Sequence, residues 1–194
     1  MKRACLFQLF DQAHRLTGHT DFVVIGSLSI LGTQDEDELP CDMSMSIDVD
    51  AYTLADPGLI LGLSASLGEG SDFHRAHGYY LDPVSPSLAS LPDGWQARMN
   101  RLANGAVNLW FLDPDDAAVS RYARSQANDL RWIRAGIVAG LVSLPRIKAR
   151  LSSTGFIDAE EAARVQRHLA EDQAWFEAIK SGRAEGASRS AHKA

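Results

Sequence analysis

The chain contains 194 residues, of which 45% are hydrophobic and 23% are charged. These ordinary values exclude a disordered or fibrous chain and predict one substantial core with a smaller helical part. The formal net charge of −6 excludes a general attraction to nucleic acid or to an anionic membrane, so contact with RNA or a nucleotide would require a local basic patch or a bound cation.

The first residues of the chain and its two cysteines argue against a secreted, membrane-spanning, zinc-binding or disulfide-rich protein. The first ten residues, MKRACLFQLF, are followed by Asp11 and Arg15, which interrupt the apolar run too early for a secretory signal or a membrane span. We therefore expect a cytoplasmic protein without a membrane partner. Cys5 and Cys41 fit no CxxC or Cys/His spacing, which argues against a zinc site and against a disulfide framework.

The first part of the chain predicts a helix, a buried strand and the start of a second helix. Apolar residues recur at intervals of three and four over residues 2–16, which indicates an amphipathic helix that ends at Gly18. The β-branched and aromatic run in residues 21–25 predicts a buried strand. A helix with Ser27 as its N-cap is expected next, and the acidic, aperiodic residues 32–42 predict a loop.

Alternating apolar and polar side chains over residues 43–52 predict a second strand with one polar face. The elements predicted after it are a helix following Pro57, a loop over residues 69–78, a strand over 79–84, and two strands over 95–102 and 106–112 that the hairpin signal Asn104-Gly105 separates.

Helices replace strands from Pro114 onward. They are expected to begin at Pro114 and at Asn128 and to cover residues 145–151 and 158–180. This order is typical of an α/β or α+β protein with a small mixed β-sheet, flanking helices and a C-terminal helical region. We predict an α/β domain over residues 1–113, the helical region over 114–180 and a disordered tail over 181–194.

Asp48 and Asp50 are the residues that most clearly suggest a chemistry. Strand alternation places them on one face, roughly 6.5 Å apart along the backbone, where two carboxylates repel each other and can share a divalent cation. Hard oxygen ligands suit Mg²⁺, with Mn²⁺ as a substitute, and such an ion supports phosphoryl or nucleotidyl transfer. An isolated Asp-x-Asp is a weak signal, because many such pairs are solvated strand residues.

Gly26 and Ser27 lie where the first strand passes into the predicted helix, a place where backbone amides can face an anion. On their own, Gly26 and Ser27 are better explained as a tight turn with an N-cap serine. Together, Ile25-Gly26-Ser27 and Asp48-Val49-Asp50 resemble the signature of the DNA polymerase β-like nucleotidyltransferase superfamily. Residues 20–141 resemble, more narrowly, small bacterial nucleotidyltransferases grouped with AbiEii toxins and minimal antitoxin-type nucleotidyltransferases.

The resemblance implies further site residues, each with an alternative. Asp82 corresponds to the third metal-binding carboxylate, although it could be a turn acid before Pro83. Arg121 stands where the family commonly has a lysine, and Arg124 lies one helical turn behind it. Both could bind a triphosphate, or they could pair with Asp115 or Asp116 on a solvated helix face. Asp129 could contribute to the nucleotide site or cap the next helix.

Two features depart from the family pattern. No lysine or arginine follows Ser27 until Arg75, whereas relatives commonly place a basic residue soon after this position to hold phosphate. The loop before Asp48 is long and contains four consecutive acids, residues 35–38, which would repel a triphosphate unless they point away. His74 and His77 are expected to be surface loop residues, and Trp110, Trp132 and Trp175 are expected to pack in the core.

Three functional hypotheses remain open. The first is a Mg²⁺-dependent enzyme that moves a nucleotidyl group from an NTP to an RNA or protein acceptor, plausibly within a toxin-antitoxin or defence system. The second is an inactive nucleotidyltransferase-like antitoxin or regulator that binds a cognate toxin, and the third is an orphan α/β domain. The missing basic residue after Ser27 favours the second hypothesis, and the intact Asp-x-Asp favours the first.

Overall fold

The computed structural model describes residues 1–191, with side chains over residues 1–181. Its elements in chain order are α1 (Arg3–Thr17), β1 (Asp21–Val24), α2 (Cys41–Ser44), β2 (Asp48–Thr53), α3 (Ser64–Leu67), α4 (Asp72–His77), β3 (Tyr80–Pro83), β4 (Asn100–Asn104), β5 (Val107–Phe111), α5 (Pro114–Arg124), α6 (Ala127–Val138), α7 (Leu144–Arg150) and α8 (Ala159–Ala191). Short 3₁₀ helices cover Ser27–Gly32, Glu36–Glu38, Leu59–Leu63, Trp95–Arg98 and Leu151–Ser153.

The strands form one five-stranded mixed sheet in the order β3-β2-β1-β5-β4. β1 pairs antiparallel with β2 and parallel with β5, while β2 pairs parallel with β3. β4 and β5 form the antiparallel hairpin that Asn104-Gly105 signalled, and Gly105 has a φ of +58°, as such a turn requires. The predicted fold class, a small mixed sheet with flanking and C-terminal helices, is confirmed.

One hydrophobic cluster joins the sheet to the helices. The β1 side chains of Phe22, Val23 and Val24 are fully buried, as is Tyr122 on α5. α1 contributes its apolar face through buried side chains such as Phe10, and it ends at Gly18 in the left-handed conformation, as predicted. The division into an α/β domain over 1–113 and a helical region over 114–180 stays a prediction.

Several element boundaries differ from the sequence expectation. The predicted strand over residues 43–52 begins only at Asp48, because the pairing of β2 with β3 starts at Asp48 and Tyr80. Met43 belongs to α2 instead and is fully buried, while Met45 is largely exposed. The alternation of methionine and serine before Asp48 therefore does not mark a strand.

The predicted loop over residues 69–78 is also wrong, since it contains α4. The Ser71 side chain caps this helix by accepting a hydrogen bond from the His74 amide, and Gly78 ends it with a φ of +77°. Two shorter corrections follow the same lines: the helix expected after Pro57 is a 3₁₀ turn followed by α3, and the strand expected from Trp95 starts at Asn100.

The last helix continues past Lys180, where the sequence predicted it to end. α8 extends to Ala191; the alanines and arginines of the added segment favour helix, although its glycines and serines do not. The predicted disordered tail over 181–194 therefore overlaps α8, and its last three residues lie outside the described part of the chain. None of the described helices is both long and apolar enough to cross a membrane.

Candidate metal centre and adjoining cavities

Asp48, Asp50 and Asp82 meet at one edge of the sheet. Asp48 and Asp50 lie on β2, and Asp82 lies directly opposite Asp50 on the parallel neighbour β3. Each residue offers a carboxylate oxygen, and these three atoms lie within 4.8 Å of one another. The alternation expected from the sequence is present here, since Val49 and Ala51 are buried while the two acids face the opposite side.

The three carboxylates repel one another strongly. Burial, then the charges of Asp48 and Asp82, raise the pKa of Asp50 to about 7, against an ordinary value of 3.8. Burial and the neighbouring charges of Asp48 and Glu69 also raise the pKa of Asp82. A divalent cation would relieve this repulsion, and three hard oxygen donors so close together fit the ligand preference of Mg²⁺.

Gly26 holds the Asp50 carboxylate from the other side. Its φ of +70° and ψ of −156° are accessible almost only to glycine, and a Cβ at this position would lie 1.9 Å from Asp50 Oδ2. The Ile25 amide also donates a hydrogen bond of 2.9 Å to the Asp50 carbonyl. Gly26 is therefore required both for the turn after β1 and for the close approach of the acid.

Ser27 is the first residue of the 3₁₀ helix that follows this turn. The prediction that Ser27 is the N-cap is wrong, because the unusual backbone of Gly26 places that glycine at the cap position. The Ser27 carbonyl accepts a hydrogen bond of 3.2 Å from the Trp132 indole nitrogen. This contact ties the turn after β1 to α6.

Arg121 and Arg124 on α5 both contact the Asp129 carboxylate on α6. Arg121 Nη1 donates to Asp129 Oδ1 at 2.6 Å, and Arg124 forms two bonds, from Nε at 2.8 Å and from Nη2 at 2.6 Å. Asp129 also accepts from the Gln126 amide and so takes part in capping α6. The cap interpretation of Asp129 is confirmed, although the cap residue itself is Gln126.

The two arginines differ in their surroundings. The Arg121 side chain is only 6% exposed, whereas that of Arg124 is 51% exposed. Burial lowers the pKa of Arg121 to about 10, and Asp129 opposes this shift, so the guanidinium remains charged at neutral pH. Hydrogen bonds to Asp129 raise the pKa of Arg124.

The alternative in which these arginines pair with Asp115 or Asp116 is wrong. Asp115 pairs with Arg146, and Asp116 pairs with both Arg98 and Arg150. Both acids are buried under α7 and the 3₁₀ turn that contains Arg98, because α5 turns this face towards its neighbours rather than to solvent. Arg121 and Arg124 instead lie on the side of α5 that faces the acidic cluster, where both pair with Asp129.

Two cavities adjoin the cluster. The first, called here the polar cavity, has a volume of about 320 Å³ and is lined by Ser27, Asp42, Met45, Ser46, Asp48, Asp50, Arg121, Arg124, Gln126, Asn128, Arg131 and Trp132. It unites the predicted Ser27, both aspartates of β2 and both arginines. Asp129 lies behind the arginines, fully buried, and contacts the cavity only through them.

The second, called here the inner cavity, has a volume of about 440 Å³. Its walls are Ile25, Gly26, Asp50, Leu88, Ala89, Ser90, Leu112, Ala117, Ser120, Arg121, Ala123, Arg124, Glu161 and Arg164. Most of these side chains are apolar or small. Asp50, Arg121 and Arg124 belong to both linings, so the two cavities meet at these three residues.

Sequence reasoning missed part of the polar cavity. Trp132 is buried, as expected for a core residue, yet it also lines the cavity, and the Arg121 guanidinium lies over its ring at 4.6 Å. Arg131 and Ser46 were not singled out, although Ser46 donates a hydrogen bond to Asp48. The position of Trp132 three residues after Asp129, on the same face of α6, is the sequence signal that could have identified it.

Residues 35–38, His74 and His77 all lie outside the two cavities. None of the four consecutive acids, residues 35–38, lines either cavity, and Asp35 pairs with Arg3 on α1. His74 and His77 lie on α4 and are likewise absent from both linings. Residues 35–38 therefore do not oppose an anion at the cluster directly, whereas Asp42, at the end of the predicted loop, does line the polar cavity.

Comparison with known families gives one clear result. A family model described as "Nucleotidyltransferase of unknown function (DUF6036)" matches residues 4–183, which include both β2 acids, Asp82 and all of α5 and α6. No curated protein and no solved structure matches the chain significantly. Since the matched region covers nearly the whole chain, the protein belongs to this nucleotidyltransferase family.

Proposed function

We propose that the protein is a Mg²⁺-dependent enzyme that transfers a nucleotidyl group from an NTP to an RNA or protein acceptor. The observation that carries the proposal is the position of the three-carboxylate cluster beside a cavity lined by three arginines. Carboxylates that would bind a metal ion and arginines that would bind phosphate therefore lie beside the same cavity, as nucleotidyl transfer requires. Family membership supports the same reaction class.

Asp48, Asp50 and Asp82 would hold the metal. Their mutual repulsion favours a bound divalent cation over three ionised side chains alone. A bound Mg²⁺ would neutralise charge on the phosphates and orient them for displacement at phosphorus. The close contact between Gly26 and Asp50 would fix one carboxylate before the substrate arrives.

The polar cavity would hold the NTP. Arg121 and Arg124 provide the cations that relatives commonly place soon after the Gly-Ser pair, but they come from α5. Asp129 would act as a positioning residue, because its carboxylate fixes both guanidinium groups and has no oxygen left over for a nucleotide. Ser27 lines the same wall, and the Arg121 guanidinium is held over the buried ring of Trp132.

One observation favours the second candidate, a catalytically inactive nucleotidyltransferase-like antitoxin or regulator. Asp129 already partly neutralises the charge of Arg121 and Arg124, so these residues attract a triphosphate less strongly than free cations would. Such a protein would retain nucleotide affinity and neutralise a cognate toxin. The likeness to AbiEii-type and minimal nucleotidyltransferases accommodates both a toxin and an antitoxin role.

A labelling assay distinguishes the two candidates. The purified protein is incubated with each α-labelled NTP, Mg²⁺ and a cell lysate, and transfer is measured as label that stays with macromolecules. Asp48→Asn should abolish transfer, while Asp37→Asn should leave it unchanged, because Asp37 is an exposed acid of the 3₁₀ helix Glu36–Glu38 and lines neither cavity. A thermal shift with Mg²⁺ and NTP but no label on any acceptor would refute the enzyme and support the binding protein.

A further inference from the structure

The inner cavity adjoins the polar cavity, which is the proposed nucleotide site. Asp50, Arg121 and Arg124 separate it from the polar cavity. An in-line displacement at phosphorus needs the acceptor on the side opposite the leaving group, so two sites must meet at the reacting centre. Resting on the proposed transferase function, we infer that the inner cavity is the acceptor site and that it receives a hydroxyl-bearing polypeptide side chain rather than an RNA end.

The polar groups of the inner cavity are largely committed to the protein. Arg164 donates two hydrogen bonds to the Ala123 carbonyl, of 3.1 and 2.8 Å, and thereby caps the end of α5. Glu161 accepts from the Ser90 hydroxyl at 2.9 Å and from the Ile157 amide at 2.8 Å. Asp50, Glu161 and the adjoining Asp129 offset the three arginines of the lining, so the cavity has little net positive charge to offer a ligand.

An RNA acceptor would need such charges. Each nucleotide brings a phosphate, and proteins that bind single strands follow the backbone with a positively charged groove and stacking aromatic rings. No aromatic residue lines the inner cavity among the described side chains, and its arginines are matched by an equal number of nearby carboxylates rather than forming a positive groove. The overall charge of −6 adds no attraction for RNA.

An apolar group that carries a hydroxyl fits the same walls. Leu112, Ala117 and Ala123 provide buried apolar surface, and Ser120 on α5 adds a small polar side chain to the lining. At the rim, Leu88 is 65% exposed, which is the kind of apolar surface that contacts a partner protein. A cavity of about 440 Å³ has the size of an ordinary ligand pocket and can admit one side chain of a docked polypeptide.

Transfer where the two cavities meet requires only the NTP and the acceptor hydroxyl. The acceptor oxygen forms a bond to the α-phosphorus of the NTP, and the bond from that phosphorus to the oxygen of the β-phosphate breaks. Its electron pair leaves with pyrophosphate, and the hydroxyl proton passes to water. The product is a phosphodiester between the nucleoside and the polypeptide side chain.

Filling the inner cavity tests the assignment. Ala89 lines the cavity at a partly exposed position, so Ala89→Phe should occupy it without burying a large side chain in the core. A second variant, Leu88→Glu, places a charge at the rim, and Leu61→Glu is its matched control, because Leu61 is 58% exposed and lies in neither lining. Labelled lysate reactions are divided and treated with protease or with ribonuclease.

We expect the label to resist ribonuclease and to be removed by protease. Ala89→Phe and Leu88→Glu should each lower labelling at least about tenfold, while the thermal shift given by Mg²⁺ and NTP stays as in the wild type, because only acceptor positioning is lost. Leu61→Glu should label normally. Label in RNA, or undiminished protein labelling by both variants, would overturn the acceptor assignment alone; absence of any labelled macromolecule would overturn it together with the transferase function.

Discussion

Replacing Asp50 with asparagine should stabilise the metal-free protein, and the gain should grow with pH. The pKa of Asp50 is about 7 in the folded protein, whereas an unfolded chain has the ordinary value of 3.8. Between these values the folded state binds more protons than the unfolded state, so the stability of the wild type falls as pH rises. The destabilisation is absent at a pH below the unfolded-state pKa and complete at a pH above the folded-state pKa.

The size of this destabilisation follows from the pKa shift of Asp50. About three pKa units at about 1.4 kcal/mol each give an upper bound of about 4 kcal/mol above pH 7. Near pH 5 only about 2 kcal/mol of this destabilisation is present, by the same relation. Asp50→Asn cannot ionise, so its stability advantage over the wild type should widen by about 2 to 3 kcal/mol between pH 5 and pH 8.

Urea unfolding in the presence of a chelator, followed by fluorescence at each pH, measures this advantage. Asp82→Asn is the matched control: its carboxylate belongs to the same cluster but is exposed, so its gain should be smaller. Millimolar Mg²⁺ should stabilise the wild type and reduce the gap, because the cation removes the repulsion that the amide also removes. Parallel pH profiles for the wild type and Asp50→Asn would refute the reasoning.

Three further perturbations test the parts of the site separately. Gly26→Ala should lower the free energy of unfolding by at least about 2 kcal/mol and abolish the thermal shift with Mg²⁺, because its Cβ would collide with Asp50. Gly18→Ala is the control, since Gly18 has a similar φ and no atom lies within 4 Å of its Cβ position. This variant should lose less stability and keep the thermal shift. Asp129→Ala should lower the free energy of unfolding by about 3 kcal/mol in urea titrations, because it leaves a buried arginine without its partner. Trp132→Phe keeps an aromatic ring in the core, so it should lower stability little, but it loses the hydrogen bond to the Ser27 carbonyl. Because Ser27 lines the polar cavity, NTP affinity in calorimetric titrations should fall more than stability does.

The sequence predicted those parts of the fold that depend on local patterns. Helix α1 and its glycine end, the buried strand β1 and the Asn104-Gly105 hairpin each follow from neighbouring residues, and each is present. The strand before Asp48 was wrong because alternation alone does not supply a pairing partner, and β3 provides one only from Tyr80 onward. Local signals identify elements better than they identify where pairing begins.

The candidate site shows the same division. Strand alternation and family resemblance pointed to Asp48, Asp50 and Asp82, and the sheet register brings them together. The role of Asp129 could not be read from the sequence, because its contact with Arg124 depends on how the turn between α5 and α6 folds back. Nor could the sequence reveal the inner cavity, whose walls come from segments far apart in the chain.

The charges around the cluster explain why a cation and a nucleotide would bind together. Three aspartates and three arginines line the polar cavity, so its own charges balance at a pH above the pKa of Asp50, and Asp82 and Asp129 lie nearby as two further acids. In this state a triphosphate meets no net attraction. One or two divalent cations at the carboxylates would reverse the balance and leave the arginines to face the phosphates, so NTP affinity should depend steeply on Mg²⁺ and should be lost when Asp48→Asn weakens the metal site.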